Sequence, residues 1–237
     1  MRAHLDTPAG AAPCAWDGLR LPSCVRWQVH ALPALAQAAD EDLRALRARL
    51  RQRESASGRA LARSLLAQCG ASDGAVGRGA DGAPLWPAGF IGTISHTAAL
   101  LAVAVAPAHA LAGIGIDVEL SDGLRDTAAI DAVCLDAAER ALADACALGH
   151  AQARVLFFSA KEALYKCLYP RLRRYIDFSD VAVRACDAGA GTLTLVALRP
   201  LAPGVPAGAT WPATFCHAAG HVATAVVLAH QGPPQDA

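Results

Sequence analysis

Four polar residues fall in two short stretches whose local geometry sets what they can do. The first stretch is Gly113-Ile-Gly-Ile-Asp117-Val-Glu119-Leu120. In a strand successive side chains face opposite sides. Ile114, Ile116, Val118 and Leu120 then share one face, and Asp117 and Glu119 share the other. The second stretch, Phe157 to Lys166, reads as a helix in which Glu162 and Lys166 project together, four positions apart. Where that strand faces that helix, three carboxylates and an ammonium meet. Two carboxylates about 7 Å apart repel by roughly 2–3 kcal/mol at an effective dielectric of ~20. A divalent cation removes the repulsion, and oxygen-only ligands suit magnesium. Gly113 and Gly115 point to close approach by a ligand or another backbone.

The elements that must position these groups follow from hydrophobic spacing. Val25, Trp27 and Val29 alternate with polar residues and predict a half-buried strand. Asp40 precedes a helix carrying Leu43, Leu46 and Leu50, and Ser57 can cap a second helix that Gly70 ends. Residues 70–88 read as an extended loop, and Ile91 to Ala106 as strand material broken at Ser95-His96-Thr97. Asp136-x-x-Glu139 is a capping-box start. The main helix runs from near Ala151 to Tyr169 and is expected to stop at Pro170. Four strand-like stretches follow, at 181–183, 192–198, 211–217 and 222–228. Leu101–Val105 and Ala223–Leu228 resemble one another. They suggest an internal duplication with a boundary near 107–113 and a site between the halves.

Composition narrows the class. The 237 residues suffice for one large or two small domains. Twenty-one basic and 21 acidic residues cancel, so no global field favours nucleic acid or an anionic membrane. Ala98 to Ile116 carries no charged side chain other than His109, yet Pro107 and the glycines favour two buried strands over a membrane span. Eight scattered cysteines include no C-x-x-C pair, which argues against zinc and for thiols in a reducing, cytoplasmic setting. The first residues carry Asp6 and no apolar run of signal-peptide length, so export is not expected.

Singly, each candidate has a bland reading. A D-x-E usually marks a solvated face, and a Glu–Lys pair four apart is worth a few tenths of a kcal/mol. A histidine such as His96 is often a satisfied core residue, and the arginines from 44 to 63 suit a solvated helix face. The order of the pieces changes that. Arg51, Gly58-Arg59, Trp86-Pro87, Gly92-Thr-Ile-Ser95-His96-Thr97, Gly115-Ile-Asp117-Val-Glu119, Phe158-Ser-Ala-Lys161-Glu162-Ala-Leu-Tyr-Lys166 and Leu168-Tyr169-Pro170 follow one another. In that order the chain resembles the 4′-phosphopantetheinyl transferases, most of all the branch of enterobactin synthetase component D and the mycobacterial-type enzyme.

The resemblance implies an α+β fold of two similar halves related by a pseudo-twofold, residues 1–110 and 111–230, with 231–237 a disordered tail. It implies transfer of phosphopantetheine from coenzyme A to a serine of an apo acyl or peptidyl carrier protein, releasing 3′,5′-ADP. It assigns Asp117, Glu119 and Glu162 to magnesium, Glu162 and Lys166 to catalysis, and Lys166 also to the coenzyme A phosphates. Arg51, Arg59, Ser95 and His96, and less directly Arg78, match positions around the 3′-phosphoadenosine end. It implies a monomer. One departure stands out: some relatives carry a lysine where Gly82-Ala83-Pro84 has alanine. Arg171, Arg173 and Arg174 could dock an acidic carrier surface. The competing readings are a metal-dependent phosphoesterase, which would need no acceptor protein, and a non-catalytic coenzyme A-binding protein.

Overall fold

A computed structural model describes residues 16–32, 43–121 and 127–230. The expectations for residues 1–15, the Asp40 helix start and the 231–237 tail lie outside the described residues. The fold is α+β. Strands β1 (Arg26–Ala31), β4 (Phe90–His96) and β5 (Leu100–Pro107) form one antiparallel sheet in the order β1-β5-β4. Between β1 and β4 come the long helix α1 (Leu43–Gln68) and a two-stranded hairpin, β2 (Gly77–Arg78) and β3 (Pro84–Leu85). Then come β6 (Gly113–Leu120), α2 (Ala128–Val133), α3 (Ala137–Ala145) and α4 (His150–Leu172). The chain ends with β7 (Val181–Asp187), β8 (Thr192–Ala197), β9 (Thr210–Ala218) and β10 (His221–Leu228). The second sheet runs β6-β10-β9-β8-β7, antiparallel throughout.

Period-two alternation in β5 and β6 builds the cores. Leu101, Val103 and Val105 of β5 pack with Leu61, Leu65 and Leu66 of α1. The intervening Ala102, Ala104 and Ala106 pack with Ile114, Ile116 and Val118 of β6. Small residues on that face let the two sheets sit close together. The opposite face of β6 carries Gly113, Gly115, Asp117 and Glu119, and α4 crosses it. A Cβ at Gly115 would lie 1.9 Å from the Ala163 carbonyl oxygen and 2.6 Å from the Cys167 nitrogen. The glycines therefore admit another backbone. Inner strands β5 and β10 are the two stretches that suggested duplication.

Three expectations need correction. Ser57 and Gly58 lie inside one continuous helix, not between two. A mid-helix glycine costs about 1 kcal/mol against alanine. Here it lets α1 settle on β4, since a Cβ at Gly58 would lie 3.0 Å from Ile94 Cγ2. Pro170 does not stop α4, which continues to Leu172. In the last turn a missing N–H forfeits a single bond. The helix closes where Arg173, left-handed at φ 51°, donates its N–H to the Tyr169 carbonyl at 2.9 Å. Residues 70–88 are not all loop, because the β2–β3 hairpin lies within them. The Asp136–Glu139 capping box is present and starts α3.

Cys24, Cys69, Cys134, Cys146, Cys167, Cys186 and Cys216 are free thiols. None of the described helices is long and apolar enough to cross a membrane. The β6–α4 contact leads to a test. Gly115→Ala should cost about 3 kcal/mol or more, because neither backbone can yield locally. Urea unfolding checks this, and a wild-type midpoint would show that α4 does not rest on β6.

Candidate active site

Strand β4 divides its side chains between two faces. Thr93 and Ser95 turn toward β6, where their hydroxyls accept the N–H groups of Ile116 and Val118, both at 3.2 Å. Ile94 and His96 turn toward α1. Ser95 Oγ donates to Asp117 Oδ1 at 2.8 Å. From α4, Lys166 Nζ donates to the same oxygen at 2.6 Å and to Ser95 Oγ at 3.0 Å. The Ser95 hydroxyl thus donates once and accepts twice, its full capacity. The other Asp117 oxygen, Oδ2, is buried without a hydrogen-bond partner.

The neighbouring acids feel this charge. Burial, and then Asp117, push the Glu119 carboxyl from its ordinary 4.5 up to about 7, with Lys166 opposing and Glu162 adding. Burial raises Glu162 as well, against the pull of Lys166 and with a further push from Asp117. Among the described residues no three carboxylate, imidazole or thiol groups converge closely enough to hold a metal ion. Asp117 Oδ1 is taken up by Lys166 and Ser95 instead.

Glu162 is held in place by the residue before it. Lys161 is buried and donates to Glu139 Oε2 at 2.9 Å and to the carbonyls of Cys134 and Phe178 at 2.5 and 3.0 Å. Glu139 in turn accepts the Asp136 and Val183 N–H groups at 2.9 and 2.8 Å. That knot pins α4 to α3 and β7.

Two cavities flank the centre. A basic cavity of about 700 Å³ is lined by Arg51, Arg59, Arg78, His96, Ser55 and Glu54, among others. An apolar one of about 470 Å³ includes Trp86, Phe90, Tyr165, Tyr169 and Lys166. Pro84 and Ile94 line both. The candidate residues therefore fall into two groups: Ser95, Asp117 and Lys166 in direct contact with Glu119 and Glu162 nearby, and Arg51, Arg59, Arg78 and His96 around the basic cavity. At the missing lysine, Ala83 lines the apolar cavity and its N–H donates to Asp81 Oδ1 at 3.0 Å. Arg78 lies over Gly82, where a Cβ would be 3.4 Å from Nη2. Of the three arginines at the end of α4, Arg174 is engaged with Asp180 at 3.6 Å, and Arg171 and Arg173 are exposed. Sequence reasoning missed Glu54 and Lys161. The first stands as a lone acid within a run of arginines, which was a usable signal.

Over 171 residues, 70% of this chain and 76% of its relative, the sequence is 33% identical to the 4′-phosphopantetheinyl transferase Npt of Nocardia iowensis. The chain belongs to the 4′-phosphopantetheinyl transferase superfamily. The profile described as the 4′-phosphopantetheinyl transferase N-terminal domain matches residues 39–106, and that of the superfamily matches residues 113–219. The transferase is also 37% identical over 164 residues to Svp of Streptomyces mobaraensis, covering 67% of this chain and 63% of that one. It is 32% identical over 124 residues to the enterobactin synthase component D of Salmonella typhimurium, about half of each chain at 52% and 51%.

The raised Glu119 carboxyl gives this transferase a pH signature. Between 4.5 and about 7 the folded chain holds a proton at Glu119 that the unfolded chain has released. By linkage, this group's contribution to stability falls as pH rises through that interval. Urea unfolding in chelator-treated buffer from about pH 5 to about pH 8 should show the decline, and Glu119→Gln should flatten it. An unchanged slope in the variant assigns the effect to another group.

Proposed function

We propose that this chain transfers 4′-phosphopantetheine from coenzyme A to a serine of an apo acyl or peptidyl carrier protein, releasing 3′,5′-ADP, with magnesium. It would act as a cytoplasmic monomer built from halves 1–110 and 111–230. The observation that carries the reading is the contact of Lys166, Asp117 and Ser95 on the strand whose other face lines a basic cavity. A phosphate-rich nucleotide fits the arginines, and the diphosphate fits the ammonium.

The donor set at the centre leaves one acceptor open to a cation. Asp117 Oδ2 is buried without a partner, and burial, with a push from Asp117, raises the nearby carboxyls Glu119 and Glu162. Asp117, Glu119 and Glu162 would hold magnesium, which when bound supplies charge neutralisation at the diphosphate. Asp117 and Ser95 orient the Lys166 ammonium, which donates to a diphosphate oxygen and stabilises the charge that grows as the anhydride opens. Arg51, Arg59 and Arg78 hold the 3′-phosphoadenosine end, with His96. The carrier serine oxygen bonds to the phosphorus that bears pantetheine, the phosphoanhydride P–O bond breaks, and 3′,5′-ADP leaves. Glu162 takes the serine proton. Arg171 and Arg173, beside exposed Tyr175, offer a basic surface to an acidic carrier.

Incubating the protein with an apo carrier, coenzyme A and magnesium, and weighing the carrier, tests the reading. A mass gain of one phosphopantetheine is expected. Release of nucleotide without acceptor would favour the phosphoesterase, and binding without turnover the coenzyme A-binding protein. Asp117→Ala should abolish transfer in a folded protein, and Lys166→Ala should lower kcat by about 100-fold. Arg59→Ala should weaken coenzyme A more than 3′-dephospho-coenzyme A, and equal losses would reject that contact.

A further inference from the structure

Glu54 is out of place on charge alone. It is a carboxylate in the wall of a cavity lined by Arg51, Arg59 and Arg78, where it opposes any anion that binds. It is also only 7% exposed, so burial adds to its cost unless a partner holds it. That partner is His96, whose Nδ1 lies 3.4 Å from Glu54 Oε2. The two come from different elements. Glu54 projects from α1 on the turn between Arg51 and Gly58, and His96 projects from the α1-facing side of β4. Gly58 keeps those elements close, through its contact with Ile94.

We propose that Glu54 is a positioning residue that makes the site selective for 3′-phosphorylated nucleotides. Its carboxylate fixes His96 through Nδ1 and leaves Nε2 to meet the phosphate. This rests on the reading of the basic cavity as the 3′-phosphoadenosine site. The logic is that of an oriented imidazole, in which the bond made by one ring nitrogen sets what the other presents. A ring that donates from Nδ1 to a carboxylate and from Nε2 to a phosphate oxygen has an acceptor for each proton. Both bonds are charge-assisted. The arginines are long side chains that serve any phosphate. The histidine is short, held from behind, and sits on a strand, so it discriminates by position.

Calorimetric titration of 3′,5′-ADP and of 5′-AMP into wild type, Glu54→Gln, His96→Ala and the double variant tests this. Wild type should prefer 3′,5′-ADP, and Glu54→Gln should cut that preference about tenfold while leaving 5′-AMP affinity in place. The double variant should lose no more preference than His96→Ala alone. Glu54→Asp, which keeps the charge but withdraws it from Nδ1, should also lose preference and serves if the glutamine variant does not fold. A wild type with no preference overturns the cavity assignment and this proposal together. A preference intact in both Glu54 variants overturns this proposal alone. Equal losses for both nucleotides overturn it too, and place Glu54 on the adenosine instead.

Discussion

The structure depends on one steric constraint, the passage of the α4 backbone directly over the backbone of β6. Gly113 and Gly115 have no side chain to hold the helix away, and the Ala163 carbonyl occupies the space a Cβ would need at 115. Everything chemical at the centre follows from that contact. With α4 at ordinary helix-on-sheet distance, Lys166 would not come within 2.6 Å of Asp117, and the buried carboxylate would lack its counter-charge. Lys161, one position before Glu162, fixes the rotation of α4 by burying its ammonium among Glu139 and two carbonyls.

The second organising fact is that β4 serves two sites with alternate residues. Ser95 goes to the acid–ammonium centre and His96 to the basic cavity. A period of two along a strand therefore sets the spacing between the basic cavity and the acid–ammonium centre. The β2–β3 hairpin completes the partition. It contributes Arg78 to the basic side and Ala83 to the apolar side, with Pro84 between them.

Much of this was legible in the sequence because it rests on short-range geometry. The faces of 113–120, the Glu162–Lys166 pair and the Asp136 capping box are fixed by local periodicity, and the two glycines announced a close approach. What was illegible depended on tertiary contacts. Ser57-Gly58 looks like a helix boundary until the packing on Ile94 shows why a glycine is wanted mid-helix. Pro170 looks like a stop until its place in the last turn is known. Lys161 stands in the quoted motif without a role of its own, and only the fold reveals that it points into the protein. Glu54 stood out by charge among the arginines, but its contact with His96 on another element is visible only in the fold.

The seam between the two sheets has a property of its own. Strands β4 and β6 lie side by side, but the described bonds from Ile116 and Val118 across this seam go to the side-chain oxygens of Thr93 and Ser95, not to main-chain carbonyls. Such a join is stitched, not woven, and each stitch can open without unravelling either sheet. Because one of the stitches is Ser95 itself, whatever tugs on that hydroxyl also tugs on the suture between the two sheets. The bonding that joins the two sheets thereby shares a hydroxyl with the chemistry at their centre.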